Sequence, residues 1–165
     1  MLEQMELREA DRESAAAPST RPTVGPRLLV IDDDHLHRMI ICRVAAKAGY
    51  VPSAAASYDE AAAMVQENTF DCISLDLSLG DHAGVELLRH FWVVGCKVPI
   101  IIISGCDDVT CGETAKVAES LKLNIWNTLG KPVNLAVLRD SLERLRAASN
   151  EAAADPQQSP QISPA

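Results

Sequence analysis

The sequence predicts an α/β domain of the (βα)5 type, a doubly wound five-stranded parallel sheet with helices on both faces. Short, continuously apolar runs such as LLVI (Leu28 to Ile31) and VPIIII (Val98 to Ile103) have the character of strands buried on both faces. These runs alternate with longer segments whose apolar residues fall at helical spacing. Strands joined by crossovers of that length are parallel, and such connections are right-handed.

Each element follows from its residues. After LLVI, Leu36, Met39, Ile40, Val44 and Ala48 give a helical face that Gly49 closes at the C-cap. VPSAA (Val51 to Ala55) is a weak second strand. Ser57 or Asp59 caps the next helix, whose Ala61, Ala62, Met64 and Val65 form a small apolar face. DCISL (Asp71 to Leu75) is the third strand and Val85 to Trp92 the third helix. VPIIII, rich in β-branched residues, is the fourth strand, and a weaker helix follows around Glu113 to Leu121. A short strand near Asn124 to Leu129 precedes a last helix from Leu135 to Arg146, with Leu135, Leu138, Leu142 and Leu145 on one stripe. The folded unit is expected over residues 27–147. Residues 1–26, charged and then rich in Ala, Pro, Ser and Thr, read as a flexible extension, and residues 148–165 as a disordered tail.

Composition narrows the function classes. The 165 residues are 47% hydrophobic, a value of globular chains, and carry a net charge of −8, which argues against nucleic acid as a partner. No apolar run is long enough to cross a bilayer, and the N-terminus lacks the apolar stretch of a secretory signal, so a cytoplasmic protein with no membrane partner is expected. The five cysteines form no CxxC pair and read as buried free thiols. The acidity is local: residues 28–147 hold sixteen acids against eleven bases, and four of the acids are Asp32, Asp33, Asp34 and Asp76.

In such a fold, ligands bind outside the carboxyl ends of the strands where the strand order reverses. The polar residues that follow the apolar runs are Asp32, Asp33 and Asp34 after the first, Asp76 after the third, Ser104 after the fourth and Lys131 after the fifth. With strand order 2-1-3-4-5, the first and third strands are neighbours and their trailing carboxylates converge. Converging carboxylates repel one another unless a cation lies among them. Magnesium suits such a site, since it takes one or two carboxylates, keeps several waters and uses its remaining positions for phosphate oxygens. Lys131 supplies a positive charge and Ser104 a hydroxyl donor toward a phosphoryl group, Gly105 leaves room for it, and an aspartate is a competent nucleophile toward phosphorus.

The segments LLVIDDD, DCISLDLSLGDHAG, IIIISG and LGKPV, in that order and spacing, resemble the receiver domains of two-component response regulators, a likeness that covers about residues 27–147. The fold so implied is the flavodoxin-like, CheY-like one. The resemblance implies that Asp76 is the phosphoacceptor, Asp33 a direct magnesium ligand, Asp32 a ligand through water, and the Ser78 backbone carbonyl a further ligand. It also implies that Ser104 is the switch hydroxyl, Lys131 the phosphate-binding lysine, and the bond before Pro132 cis. Three positions depart from the family pattern: Thr128 stands where receivers carry an aromatic residue, Ala83 where an acid precedes the loop glycine, and Gly80 where a proline often follows the phosphoacceptor.

The expected function is thus a stand-alone receiver. A sensor histidine kinase or a histidine phosphotransfer protein would phosphorylate Asp76, and the response would pass to a downstream protein target by binding, since no output domain follows residue 147. No separate substrate turnover is expected, and the chain is expected to be a monomer or weak dimer. Two alternatives stand beside this one. A haloacid-dehalogenase-like phosphohydrolase would use Asp32 as nucleophile and Asp34 two residues on, and a receiver-fold docking module would work without phosphate. His35, His37, His82 and His90 read as surface or interface residues, Asp34 as a helix cap, and Trp126 as a packed side chain.

Overall fold

The computed structural model describes residues 25–80, 82–105 and 116–154. Five strands, β1 (Arg27–Ile31), β2 (Val51–Ala55), β3 (Cys72–Asp76), β4 (Ile100–Ser104) and β5 (Ile125–Gly130), form one sheet in the order 2-1-3-4-5. Every neighbouring pair is parallel, as the alternation of elements predicts. The register sets Ile31 opposite both Ala55 and Leu75, and Asp76 opposite Ile103, so the carboxyl ends of β1, β3 and β4 finish side by side.

Helices α1 (His35–Lys47) and α5 (Leu135–Ala154) cover one face of the sheet. Helices α2 (Tyr58–Glu67) and α3 (Gly84–Val93), with the helical residues 116–120, here α4, cover the other. Alternate strand residues therefore enter different cores. Leu28, Val30, Ile101 and Ile103 meet α1 and α5, whereas Leu29, Ile31, Ile73 and Leu75 meet α2 and α3. A strand buried on both sides cannot alternate with polar residues, which is why these runs are apolar throughout. Among the described residues no helix is long and apolar enough to cross a membrane.

Local chemistry sets the helix ends. Ser57 caps α2, accepting from Glu60 N at 3.2 Å, while Glu60 Oε2 accepts from Ala56 N at 2.7 Å. At the end of α1, Gly49 has φ +86° and an added Cβ would lie 1.7 Å from Arg146 Nη1. That guanidinium donates to Ala48 O at 2.9 Å, so α5 satisfies a carbonyl at the end of α1. Buried Tyr50 ties the same two helices, its hydroxyl donating to Leu142 O at 3.1 Å.

Several expectations are corrected. The buried residues of α1 are Ile41 and Ala45, followed by Ala48, while Met39, Ile40 and Val44 are half-buried and Leu36 is 60% exposed. Apolar residues run round more than one face of this helix, and two of its buried positions are taken by the small Ala45 and Ala48. Strand β4 starts at Ile100 and not at Val98: Pro99 has no N–H to donate and contributes only its carbonyl, which accepts from Ile73 N at 2.9 Å. Helix α5 runs to Ala154, past the expected end at Arg146 and through the first residues of the expected tail, because EAAA continues a strong helix-forming sequence. On its stripe Leu138, Leu142 and Leu145 are buried but Leu135 is exposed. Trp126 is exposed as well, since β5 is an edge strand whose alternate residues face outward.

Cys42, Cys72 and Cys96 are free, and only Cys72 is fully buried, its thiol pushed up to about 12 by desolvation. Cys106 and Cys111 lie outside the described residues, as do the side chains of His82 and Ala83 and most of residues 1–26 and 155–165.

Leu142, with no exposed surface, joins α5 to β1, β4 and α1. Leu142→Ala is expected to lower the unfolding free energy by about 2–5 kcal/mol in urea denaturation. Leu36→Ala, at an exposed position of α1, is expected to change it by less than about 0.5 kcal/mol.

Candidate functional site

The site lies at the carboxyl ends of β1, β3, β4 and β5, where chain connections leave the sheet in opposite directions from β1 and β3. Beyond β1, Asp32 N extends the ladder by donating to Ala55 O at 3.1 Å, which turns the Asp32 side chain inward at 1% exposure. Asp33 is exposed at the rim. Asp34 is the N-cap of α1, with Oδ1 accepting from His37 N at 2.8 Å, and that bond holds its carboxyl below the ordinary range.

Asp76 ends β3 and is 1% exposed. Its Oδ1 accepts from Ser78 N at 3.0 Å, which folds the chain back at once, and Leu77 N continues the ladder to Ile103 O at 3.0 Å. Ser78–Leu79 and His82–Ala83 then form a two-stranded antiparallel ladder. Its turn uses Gly80 at φ +54°, and Gly80 N donates to Asp33 Oδ2 at 3.1 Å, so the turn after β3 is bonded to the loop after β1. Gly84 closes the segment: a Cβ there would lie 2.6 Å from Leu77 Cα and 3.0 Å from Asp76 O, so only glycine lets α3 begin this close to the acid.

Ser104, 2% exposed, ends β4 one position beyond the partner of Asp76, and its carbonyl accepts from Lys131 N at 2.8 Å. That bond sets the start of the Lys131 side chain, which crosses to donate from Nζ to Asp76 Oδ2 at 2.6 Å. The Lys131–Pro132 bond is cis. Gly105 lies against the Lys131 stem, where an added Cβ would be in ordinary contact at 3.6 Å.

Asp32, Asp33 and Asp76 each present an oxygen such that all three lie within 4.8 Å of one another. Two unit charges at that spacing repel by roughly 3–4 kcal/mol at an effective dielectric near 20. Burial pushes the Asp76 carboxyl above its ordinary value; the Lys131 and Ser78 hydrogen bonds oppose this, and the charge of Asp32 adds to it. Burial by itself would lower Lys131, but its hydrogen bond to Asp76 and the charges of Asp76, Asp32 and Asp33 outweigh it and raise its value. Three carboxylates thus share one lysine. Their donors are hard oxygens on one side of a pocket whose rim, at Asp33, is open to water, and this donor set fits a hydrated hard divalent ion better than a soft or tetrahedral one.

Asp32, Asp33, Asp76 and Lys131 therefore reach one place, and Ser104 ends the neighbouring strand beside Lys131. Two residues not expected at the site reach it too: His37, expected to be a surface or interface residue, contacts Asp32 Oδ2 through Nδ1, and Arg38 Nη1 donates to Asp32 O at 2.6 Å. The available signal was their position in the first turn of α1, where side chains lean back toward the preceding loop. The other described histidines conform more closely: His35 is exposed and near Arg38, and His90 stands edge-on to Tyr58 with ring centroids 5.9 Å apart.

Comparison with known proteins agrees with this geometry. The family described as response regulator receiver domain matches residues 28–143. The chain is 30% identical over 128 residues to the transcriptional regulatory protein ZraR of Salmonella typhimurium, covering 78% of this chain but only 28% of that protein. It is 25% identical over 121 residues to the sporulation initiation phosphotransferase F of Bacillus subtilis, covering 73% of this chain and 94% of that one. Among solved structures, a response regulator of Burkholderia pseudomallei with a phosphorylated aspartic acid, a calcium ion and citrate is similar at 26% identity and TM-score 0.61, over 79% of this chain and 75% of that one.

The raised Asp76 carboxyl has a defined sign in stability. A carboxyl whose folded value lies above its unfolded value contributes stability that is full below the unfolded value, here 3.8, and is lost as pH rises through the folded one. In magnesium-free buffer, the unfolding free energy of the wild type minus that of Asp76→Asn is expected to fall as pH rises from below 3.8. Urea denaturation at a series of pH values checks this, and a difference that grows with pH would contradict it.

Proposed function

The chain belongs to the response regulator receiver domain family, and from that premise we propose that it is a phosphorylation switch in which Asp76 accepts a phosphoryl group. One observation carries the reading: Asp76 meets Lys131 at 2.6 Å on one side, and the carboxylates of Asp32 and Asp33 within 4.8 Å on the other. The match to the receiver family supports a phosphoacceptor over the phosphohydrolase alternative.

In the proposed reaction a carboxylate oxygen of Asp76 attacks phosphorus in line. A new P–O bond forms, and the bond from phosphorus to the donor breaks, with its electron pair leaving on the donor's histidine nitrogen or acyl oxygen. Lys131, paired with Asp76 beforehand, is placed to transfer its donor to a phosphoryl oxygen as the aspartate charge is consumed. Ser104, beside it, would donate its hydroxyl to another. Asp33, Asp76 and the Ser78 carbonyl would hold magnesium directly and Asp32 through water. When bound, magnesium would neutralise the acids and stabilise charge on the transferring group.

The phosphodonor is proposed to be a histidine kinase or histidine phosphotransfer protein. A groove of about 400 Å³ between Asp34, His37 and Ile40 of the α1 side and Lys131, Pro132 and Leu135 of the α5 side leads to the site, with Leu135 exposed at its edge. The response is proposed to pass to another protein by docking, which the exposed Trp126 of β5 and Val137 of α5 favour. With Thr128 exposed on β5 in place of an aromatic residue, that readout runs through the strand surface and not through an aromatic swing. A cytoplasmic location fits these partners.

Acetyl phosphate with magnesium is expected to add one phosphoryl group, seen as intact-protein mass. Asp76→Asn should abolish the added mass, and chelation of magnesium should suppress it. Lys131→Ala should slow the reaction about 10²-fold or more. Label that persists in Asp76→Asn, or moves to Asp32, would overturn the assignment.

A further inference from the structure

His37 is a neighbour of the acid site whose side chain has no part in the chemistry above. It is the third residue of α1, and it is pinned twice. Its backbone N–H donates to the cap Asp34 Oδ1 at 2.8 Å, while its ring reaches back to Asp32, two residues before the cap. An ionised carboxylate only accepts, so the contact requires the proton on Nδ1 to point at Asp32 Oδ2. The other oxygen, Oδ1, accepts from Asp34 N at 2.9 Å. The carboxylate plane of a side chain that is 1% exposed is therefore fixed at both ends. Each oxygen keeps a further lone pair for a water molecule.

The imidazole has no evident part in holding the fold. The cap is made by the backbone of His37, which any residue except proline retains, and the side chain is 21% exposed and outside both apolar cores. What it touches is a member of the acid cluster. We propose that His37 is a positioning residue for the divalent-ion site, whose ring orients Asp32 and so raises the affinity of the site for magnesium. The inference rests on the reading of Asp32, Asp33 and Asp76 as that site, and concerns a residue outside the ligand set. Removing a partner that orients a ligand commonly costs 10–100-fold in metal affinity. Without the ring, Asp32 keeps, among the described residues, the Asp34 N hydrogen bond to its carboxylate and regains rotational freedom within the loop. The opposite outcome is also physically defined: a ring that merely competed with the cation for Oδ2 would, once removed, leave tighter binding.

Magnesium titrated into wild type, His37→Ala and His37→Asn by isothermal calorimetry separates these cases, with metal-free urea denaturation reporting the fold of each. His37→Ala is expected to bind magnesium about 10–100-fold more weakly while its metal-free stability changes little. In His37→Asn an amide N–H stands near the place of Nδ1, and this variant is expected to recover most of the affinity. Equal or tighter binding by His37→Ala would overturn this inference alone. Absence of magnesium binding by the wild type would overturn the ion-site reading and this inference with it.

Discussion

Three carboxylates lie within 4.8 Å of one another, two of them almost wholly buried, and their mutual repulsion is what the surrounding elements must offset. No arrangement of a protein interior favours such a cluster by itself, because burial and mutual repulsion both oppose ionisation. The fold tolerates it by bringing a partner to each acid from a different element. Lys131 from the loop after β5 meets Asp76, Gly80 N from the turn after β3 meets Asp33, and Asp34 N at the cap of α1 meets Asp32. Burial still pushes the Asp76 carboxyl up, and the charge of Asp32 adds to it, while the surrounding acids raise Lys131. A site with negative charge to spare and hard oxygen donors is poised for a divalent cation, and beyond it for the anionic group that a cation and a lysine would hold together.

The sheet exists, in this sense, to line up chain ends. Parallel pairing in the order 2-1-3-4-5 puts β1 beside β3 and sends their following helices to opposite faces, so a crevice at the carboxyl ends of these strands is left open for a site. The register then places Asp76 one step short of Ser104, and the Ser104 carbonyl aligns Lys131. Rigid, doubly buried strands fix these positions far better than a surface loop would. Glycine at 84 adds the last restraint, since its missing side chain is what allows α3 to start against the backbone of Asp76 and Leu77.

Much of this was legible in the sequence, for an identifiable reason. Continuous apolar runs mark strands buried on both faces, and the polar residue ending each run marks the site, so Asp32, Asp33, Asp76, Ser104 and Lys131 were readable together. What was not legible depends on rotation and on backbone groups. The buried face of α1 could not be told from its half-buried neighbours, because Met39, Ile40 and Ile41 are apolar alike. Trp126 could not be told from a core residue before β5 was known to be an edge. Gly80 N and the Ser104 carbonyl carry no residue-type signal at all, and the ring of His37 finds Asp32 only through the geometry of the first helical turn.

The acid cluster is proposed to be one pocket for both an ion and a phosphoryl group. A crystal structure of the protein with magnesium and beryllofluoride, which mimics a phosphoryl group on a carboxylate, addresses this directly. The expected result is beryllium bonded to the Asp76 carboxylate, its fluorines facing Lys131 and Ser104, and magnesium touching Asp33, Asp76 and the Ser78 carbonyl. Magnesium found elsewhere, or beryllofluoride absent from Asp76 at saturating concentration, would contradict it.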